Sequence, residues 1–428
     1  MNGAGSAPKI LIVHTLEWAN AARVALAFCS IGCTVYALCR RGHQLRAISS
    51  LKGVYTYRPF ARIHSLRSAI RNANPDLIIP CDDTAVVLLH RLYWQEKKSA
   101  RPGNRIRTVI EHSLGRPDNY QVIATRSMLP GLAELANVLL PRTEPIPNLD
   151  ALKLWCSREN SAGVLKADHS WAGWGVRIFR NYHEAEAAFR AMTGARYYAL
   201  AIKRLLWDRD PELFLRLSRG RKPALTVQTF IRGAIANCST ACWEGEVIAN
   251  IGVEVIATQC PTGNATVVRV VDNHDMNETA ARIVRQIGGT GIVGFDFILE
   301  KESGRAFLLE VNPRATQITH LALGKGRDLP AAIRARLLGE PVSDSRAITD
   351  GKVIALFPQE LRRDPESIFL GLAYHDMPHE EPALVRAFLA KPSRLRQFVA
   401  WVRAVQVRLV LRSFTRREAA RGANARSE

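Results

Sequence analysis

The sequence predicts an α/β N-terminal part joined to an α+β remainder, and three observations carry that reading. Short apolar runs alternate with helical patterns as far as Pro80. Antiparallel strands separated by tight turns dominate between Leu225 and Val311. From Arg386 onward the composition turns basic and helix-patterned. The 428 residues leave room for two to four domains at about 150 residues each. A 47% hydrophobic fraction and a mean hydropathy of -0.07 exclude a mostly disordered or collagen-like chain. Lys and Arg outnumber Asp and Glu by 59 to 39, for a net charge of +20. That excess favours anionic partners, whether nucleotides, nucleic acid or an acidic membrane surface, without choosing among them.

Lys9–Thr15 (KILIVHT) reads as a buried strand, and Trp18–Ile31 carries apolar residues at helical spacing up to Gly32. Thr34–Leu38 is a second strand, Leu66–Asn72 a helix, and Pro75-Asp76 opens a third strand at Leu77–Pro80. Strand–helix–strand order implies a parallel sheet, whose ligands sit beyond the carboxyl ends of the strands. His14, Thr15, Glu17 and Trp18 then share a rim with Asp82 and Asp83, although those two acids equally suit the cap of a helix starting near Thr84. Proline-rich punctuation places a boundary near 115–150. Beyond it come a strand at Ala162–Ala167, a Gly/Trp loop and a helix at His183–Met192. Leu225–Ile231, Ala236–Trp243 and Val247–Val255 follow as antiparallel strands, the last two turning at Glu244-Gly245-Glu246. Ala265–Val271 is a further strand, Glu278–Ile287 a helix, and Gly291–Glu300 with Arg305–Val311 a hairpin.

No run approaches the ~18–20 apolar residues of a membrane helix. The start of the chain lacks the pattern of a signal peptide, and a cytoplasmic location is expected. The eight cysteines lie mostly in apolar runs, as buried free thiols do, and lack zinc-ligand spacing. Between Arg386 and Glu428 there are eleven Arg or Lys and two Glu. Leu395, Phe398, Val399, Val402, Val405 and Leu409 follow helical spacing among arginines. This amphipathic tail suits a helix packed on the body, or docking on an anionic membrane surface or partner; no motif for specific nucleic-acid binding appears.

Two segments carry chemistry. In Gly294–Glu300 and Phe307–Arg314, alternation puts Glu310 and Asn312 on one strand face, and Asp296 on the neighbouring strand can share it. Two carboxylates and an amide oxygen make a hard, oxygen-rich site suited to Mg²⁺ shared with phosphates, with Arg314 placed to meet a phosphoryl group. The same acids also suit the solvent face of a hairpin. In Val164–Val176 a lysine, Lys166, ends a buried strand and enters a loop with Gly173 and Gly175. Such a loop either cradles phosphate with its backbone N–H groups or forms a structural turn around Trp171 and Trp174.

Together these segments resemble the ATP-grasp superfamily, of the carboxylate–amine ligase type found in carbamoyl-phosphate synthetase large chains and biotin carboxylases. The likeness runs over about residues 8–345 and includes Asn74–Asp83 as the end of a Rossmann-like domain. It implies a Rossmann-like domain at 8–118, ATP-grasp subdomains at 119–225 and 226–345, and a C-terminal basic extension at 346–428. It implies ATP and Mg²⁺ (or Mn²⁺) as cofactors. Arg126, Lys166 and the loop residues Ser170, Gly173 and Gly175 would meet the nucleotide's phosphates, and the hinge Gln228, Phe230 and Ile231 its adenine edge. Asp296, Glu310 and Asn312 would hold the metal, with Arg314 and Lys166 acting on the transferred phosphoryl group. The hinge departs from the family in carrying Thr229 where acids for the ribose are common. The implied reaction activates a carboxylate as an acyl-phosphate, releases ADP and joins the acyl group to an amine. Its partners are small-molecule carboxylates and amines, and a homodimer is one assembly the likeness allows. A phosphotransferase, a non-catalytic nucleotide-binding module and a protein acting mainly through its basic tail are the alternative readings.

Overall fold

The computed structural model describes residues 6–98, 104–159, 162–168, 175–206, 212–220, 223–260, 263–342, 347–349 and 351–390. Strands β1 (Lys9–Val13), β2 (Thr34–Cys39), β3 (Gly53–Thr56) and β4 (Leu77–Pro80) form an all-parallel sheet in the order β3-β2-β1-β4. Both faces of β1 are buried, which is why it reads as one apolar run. Leu11 and Val13 pack on the helices Arg62–Ala73, Asp83–Lys98 and Arg105–Leu114. Ile10 and Ile12 face the helix Asn20–Ser30 and, through it, the core of a second sheet. Strand order reverses between β1 and β4, so the crevice at their carboxyl ends is the place where such sheets bind ligands.

A small antiparallel sheet, ordered β5-β8-β6-β7, comprises β5 (Thr143–Pro145), β6 (Gly163–Ala167), β7 (Val176–Phe179) and β8 (Leu225–Thr229). Trp155, Leu165, Phe179 and Val227 fill its core. The boundary expected at 225/226 therefore falls inside a strand of this sheet. Leu225–Thr229 belongs with the residues before it, because it pairs with Lys166's strand rather than with the strands that follow. Conversely, Ile123, Leu129 and Leu132, expected in the same unit as the small sheet, pack on the large one with Phe295 and Ile283.

The large sheet, β13-β12-β9-β10-β11-β14-β15, contains β9 (Gly233–Trp243), β10 (Glu246–Thr258), β11 (Ala265–Val271), β12 (Gly291–Glu300), β13 (Ala306–Asn312), β14 (Val353–Leu356) and β15 (Tyr374–Asp376). Positive φ at Glu244 (51°) and Gly245 (89°) closes the β9–β10 hairpin. β14 and β15 extend this sheet past residue 345, so 346–390 is not a separate appendage. The basic tail expected beyond it is described only as far as the helix Pro382–Leu389; residues 391–428, with the apolar stripe from Leu395 to Leu409, lie outside the described residues. Among the described residues no helix is long and apolar enough to cross a membrane. All eight cysteines are free thiols, and Cys260 is exposed.

Two helix ends lock the parallel-sheet part to the large sheet. Gly115 (φ 84°) ends Arg105–Leu114 and Gly288 (φ 58°) ends His274–Ile287. They meet so closely that a Cβ on Gly115 would stand 2.1 Å from the Gly288 carbonyl oxygen. Gly115→Ala combines that clash with a left-handed backbone, and a loss of at least about 2 kcal/mol is expected in urea unfolding. A variant within about 0.5 kcal/mol of wild type would mean that the two backbones separate at little cost.

Candidate active site

The site is built where the β12–β13 hairpin, the end of β6 and the carboxyl rim of the parallel sheet converge. Asp296 on β12 stands directly opposite Glu310 on β13, and Gly294 opposite Asn312. The register then slips: Phe297 pairs with Leu308, leaving Leu309 as an extra residue. This bulge lets Leu308 and Val311 both enter the core while Glu310 and Asn312 keep to the other face. Lys166 Nζ donates to the Leu309 carbonyl at 3.3 Å, tying the small sheet to the hairpin.

Hydrogen bonds connect the remaining polar groups in two series, one through Asp296 and one through Arg126. Asn237 on β9, opposite Asp296 in register, donates from Nδ2 to Asp296 Oδ1 at 2.7 Å, and Asn312 Nδ2 donates to Asp296 Oδ2 at 3.1 Å. Arg314 donates to Asn312 Oδ1 at 3.1 Å and through Nε to Asp83 Oδ1 at 2.9 Å. Arg126 donates twice to Glu310 Oε1, at 2.6 and 2.9 Å, and once to the Ala167 carbonyl at 3.1 Å. Its neighbour Ser127 is held by Asp168, just beyond β6, through N–H and hydroxyl bonds of 3.0 and 2.7 Å.

The electrostatics follow from burial and from charge. Burial, and then the facing Glu310 carboxylate, push Asp296 up to about 6. Burial lowers Lys166 to about 8, against the pull of Glu310. Burial alone would lower Arg126 and Arg314, but the Glu310 and Asp83 carboxylates outweigh it and hold both guanidiniums above their ordinary value. Asp296 and Glu310 face one another, with Arg126 already paired to Glu310. That donor set, all oxygen with two acids, fits a divalent cation such as Mg²⁺. Both Arg126 bonds go to Oε1, which leaves Glu310 Oε2 outside the ion pair.

The structure thus brings Arg126, Lys166, Asp296, Glu310, Asn312 and Arg314 together. Ser170 and Gly173 lie outside the described residues, and the Gly175 carbonyl accepts the Ala167 N–H at 2.9 Å. The hinge strand runs beside the lysine strand, Thr226 pairing with Lys166. Gln228 is buried, its Nε2 donating to Thr143 Oγ1 at 3.0 Å. The Phe230 N–H is given to the Ala162 carbonyl at 3.1 Å. On the rim, Asp82 proves to be the clamp and cap: it accepts from the Thr15 N–H, from Thr15 Oγ1 at 2.9 Å and from the Ala85 N–H at 2.8 Å. Asp83 instead faces Arg314. Arg269 pairs with Glu254 at 3.3 Å, away from these bonds. Asn237 was not anticipated, although a lone amide between buried Ala236 and Cys238 was a signal for it.

Residues 134–317 match the family model of the ATP-grasp domain. These residues therefore match an ATP-grasp domain, and the parallel-sheet part of the chain precedes them. The fold of the chain is that of the biotin carboxylase domain of 2-oxoglutarate carboxylase from Hydrogenobacter thermophilus, solved with MgADP, ADP and bicarbonate (TM-score 0.56, 15% identity, 80% of this chain and 72% of that one). It is similar also to N5-carboxyaminoimidazole synthetase from Staphylococcus aureus, solved with ADP (TM-score 0.54, 11% identity, 81% of each chain). A third similar structure is the L-amino acid ligase from Bacillus licheniformis (TM-score 0.53, 11% identity, 78% and 75%). No curated protein matches the chain by sequence.

Proposed function

We propose that this protein is an ATP-dependent, ADP-forming ligase that activates a carboxylate and joins it to an amine. One observation supports the reading above all others: two lysine- and arginine-bearing segments and a carboxylate pair, distant in sequence, meet around the β12–β13 hairpin. Lys166 and Arg126 neutralise the nucleotide's phosphates from the small-sheet side. Asp296, Glu310 and Asn312 hold the divalent cation, which supplies charge neutralisation on the transferred phosphoryl group. Arg314 binds that group from the rim side. An oxygen of the substrate carboxylate attacks the γ-phosphorus, the bond to the β-phosphate oxygen breaks, and ADP leaves. The amine nitrogen then attacks the acyl carbon, the bond to the phosphate oxygen breaks, inorganic phosphate leaves with the electron pair, and the nitrogen releases its proton to solvent. Positioning and charge stabilisation suffice for both steps, so the chain needs no covalent nucleophile.

Titration calorimetry of Mg²⁺–ATP against wild type and Lys166→Ala tests the nucleotide site. Binding by wild type, weakened at least about tenfold in Lys166→Ala, is expected from loss of a charge-assisted contact worth roughly 1.5–3 kcal/mol. No binding by wild type would end the ligase reading. ADP release that depends on adding both a carboxylate and an amine, with an amide product, would separate ligation from simple phosphotransfer.

A further inference from the structure

Asp296 is held at both of its oxygens by amides from the strands on either side of it. Asn237 Nδ2 donates to Oδ1 at 2.7 Å, and Asn312 Nδ2 donates to Oδ2 at 3.1 Å. An ionised carboxylate only accepts, so each amide turns its nitrogen towards it. The two amides are not equivalent. Asn312 lies beyond the bulge on β13, the edge strand, and its Oδ1 accepts from Arg314 at 3.1 Å. Asn237 lies on β9, an inner strand, in register with Asp296 on one side and Val253 on the other. Its chain neighbours Ala236 and Cys238 are fully buried in the core on the opposite face of the sheet. The backbone that carries Asn237 is therefore fixed at both edges and from beneath. Asn237, Asp296 and Glu310 stand in one row across three strands. An acid at position 237 would add a third carboxylate to that row, whereas the amide supplies a donor without charge.

We propose that Asn237 is a positioning residue of the cation site: its N–H holds Asp296 Oδ1 towards β9, turns Oδ2 towards β13 where Glu310 and Asn312 stand, and so sets the affinity of the site for a divalent cation. A carboxylate bonded at one oxygen can swing about the bond that joins it to its chain. Donors on both oxygens fix its plane, and a group held from a packed strand is aimed more exactly than one held from a loop. Without Asn237 the remaining tie is the longer one, from an amide that Arg314 also engages. Asp296 then keeps its place in the ligand set and loses its fixed direction. Partners that orient a ligand in this way matter to metal affinity although they never touch the metal. Asn237 bonds neither of the cations assigned to the phosphates: Lys166 donates to the Leu309 carbonyl, and Arg126 to Glu310 and the Ala167 carbonyl. Nucleotide binding that does not use the cation is therefore independent of Asn237. The inference rests on the ligase reading for the nucleotide and the cation, and adds to it a residue outside the proposed ligands.

Titration calorimetry with ADP, once in EDTA and once in saturating Mg²⁺, reads the cation site through the strengthening that Mg²⁺ gives to nucleotide binding. Wild type is expected to bind ADP more tightly in Mg²⁺ than in EDTA. Asn237→Leu, close in size but without a donor, is expected to bind ADP about tenfold more weakly than wild type in Mg²⁺ and within about twofold of it in EDTA, the scale of a lost outer-shell contact. Asn237→Ala repeats the measurement should the leucine variant fail to fold. Ser239 lies two residues along the same face of β9 and meets Thr319 Oγ1 at 2.8 Å rather than an acid, so Ser239→Ala is expected to match wild type in both buffers. ADP binding in Mg²⁺ as tight as wild type in the Asn237 variants, a loss of equal size in EDTA, or the same loss in Ser239→Ala would overturn the proposal while leaving the ligase reading standing. A wild type that binds ADP equally in both buffers would take the cation site away, and a wild type that binds no ADP would end the ligase reading; either result removes the basis of the proposal and is told apart from its own failure by the wild-type titration alone.

Discussion

Glu310→Gln is expected to keep the fold and lose Mg²⁺-dependent ATP turnover by at least about 10²-fold, because the proposed cation site loses one of its two charges. Glutamine retains an oxygen for Arg126, so the buried guanidinium is not stranded, and the variant isolates the charge from the contact. A second readout is independent of turnover. Asp296 stands near 6 partly because Glu310 faces it, so neutralising Glu310 should move the Asp296 titration downwards, a shift that carbon-detected NMR can follow. Near-normal turnover together with an unmoved Asp296 would show that the two acids neither share a cation nor feel one another. Turnover lost with Asp296 unmoved would point instead to Glu310 acting only through Arg126.

Much of this arrangement was legible in the sequence, for physical reasons that also explain what was not. Leu77–Pro80 is bounded by Pro75-Asp76 and buried on all four residues, so composition alone delimits it. Asp296 and Glu310 stand in runs of apolar residues, where an acid is conspicuous. Their common face followed from alternation, yet alternation by itself would have put Leu308 on the same face as Glu310; the bulge at Leu309 that separates them leaves no mark in residue type. Leu225–Thr229 looked like its neighbours because strands of two sheets share the same composition, and pairing partners lie outside the strand itself. Asp82 and Asp83 are adjacent and identical, and which of them caps the helix depends on backbone geometry at the end of β4. The distant ties were the least visible: nothing local links Arg23 to Asp376, or His14 to His43, whose rings meet at 2.7 Å between Nδ1 and Nε2.

Asp376→Ala is expected to destabilise the protein by about 3–5 kcal/mol, because it strands a buried cation. Asp376, 1% exposed at the end of β15, is paired with Arg23 of the helix Asn20–Ser30 and with His320 Nε2 at 2.6 Å. The three residues join the parallel-sheet part, the loop that carries Arg314 and the far edge of the large sheet, so the loss should appear as lower cooperative stability and as a looser Arg314 loop. The pH dependence has a definite sign. His320 and Arg23 hold Asp376 below its ordinary value, so its contribution is full above about pH 4 and disappears as pH falls through the folded value. Burial holds His320 below its ordinary value as well, along with His14 and His90, both near 3, and His43. Below about pH 6.5 the unfolded chain takes up protons that these rings refuse, and each such ring costs up to about 1.4 kcal/mol per pH unit. Asp296, raised to about 6, works the other way and offsets part of one ring's cost between pH 6 and 4. Wild-type stability in urea should therefore fall steeply between pH 7 and 5, and Asp376→Ala should start lower and fall with it. A variant as stable as wild type at pH 7.5 would mean that Arg23 escapes to solvent when released, and that the cluster does not clamp the Arg314 loop.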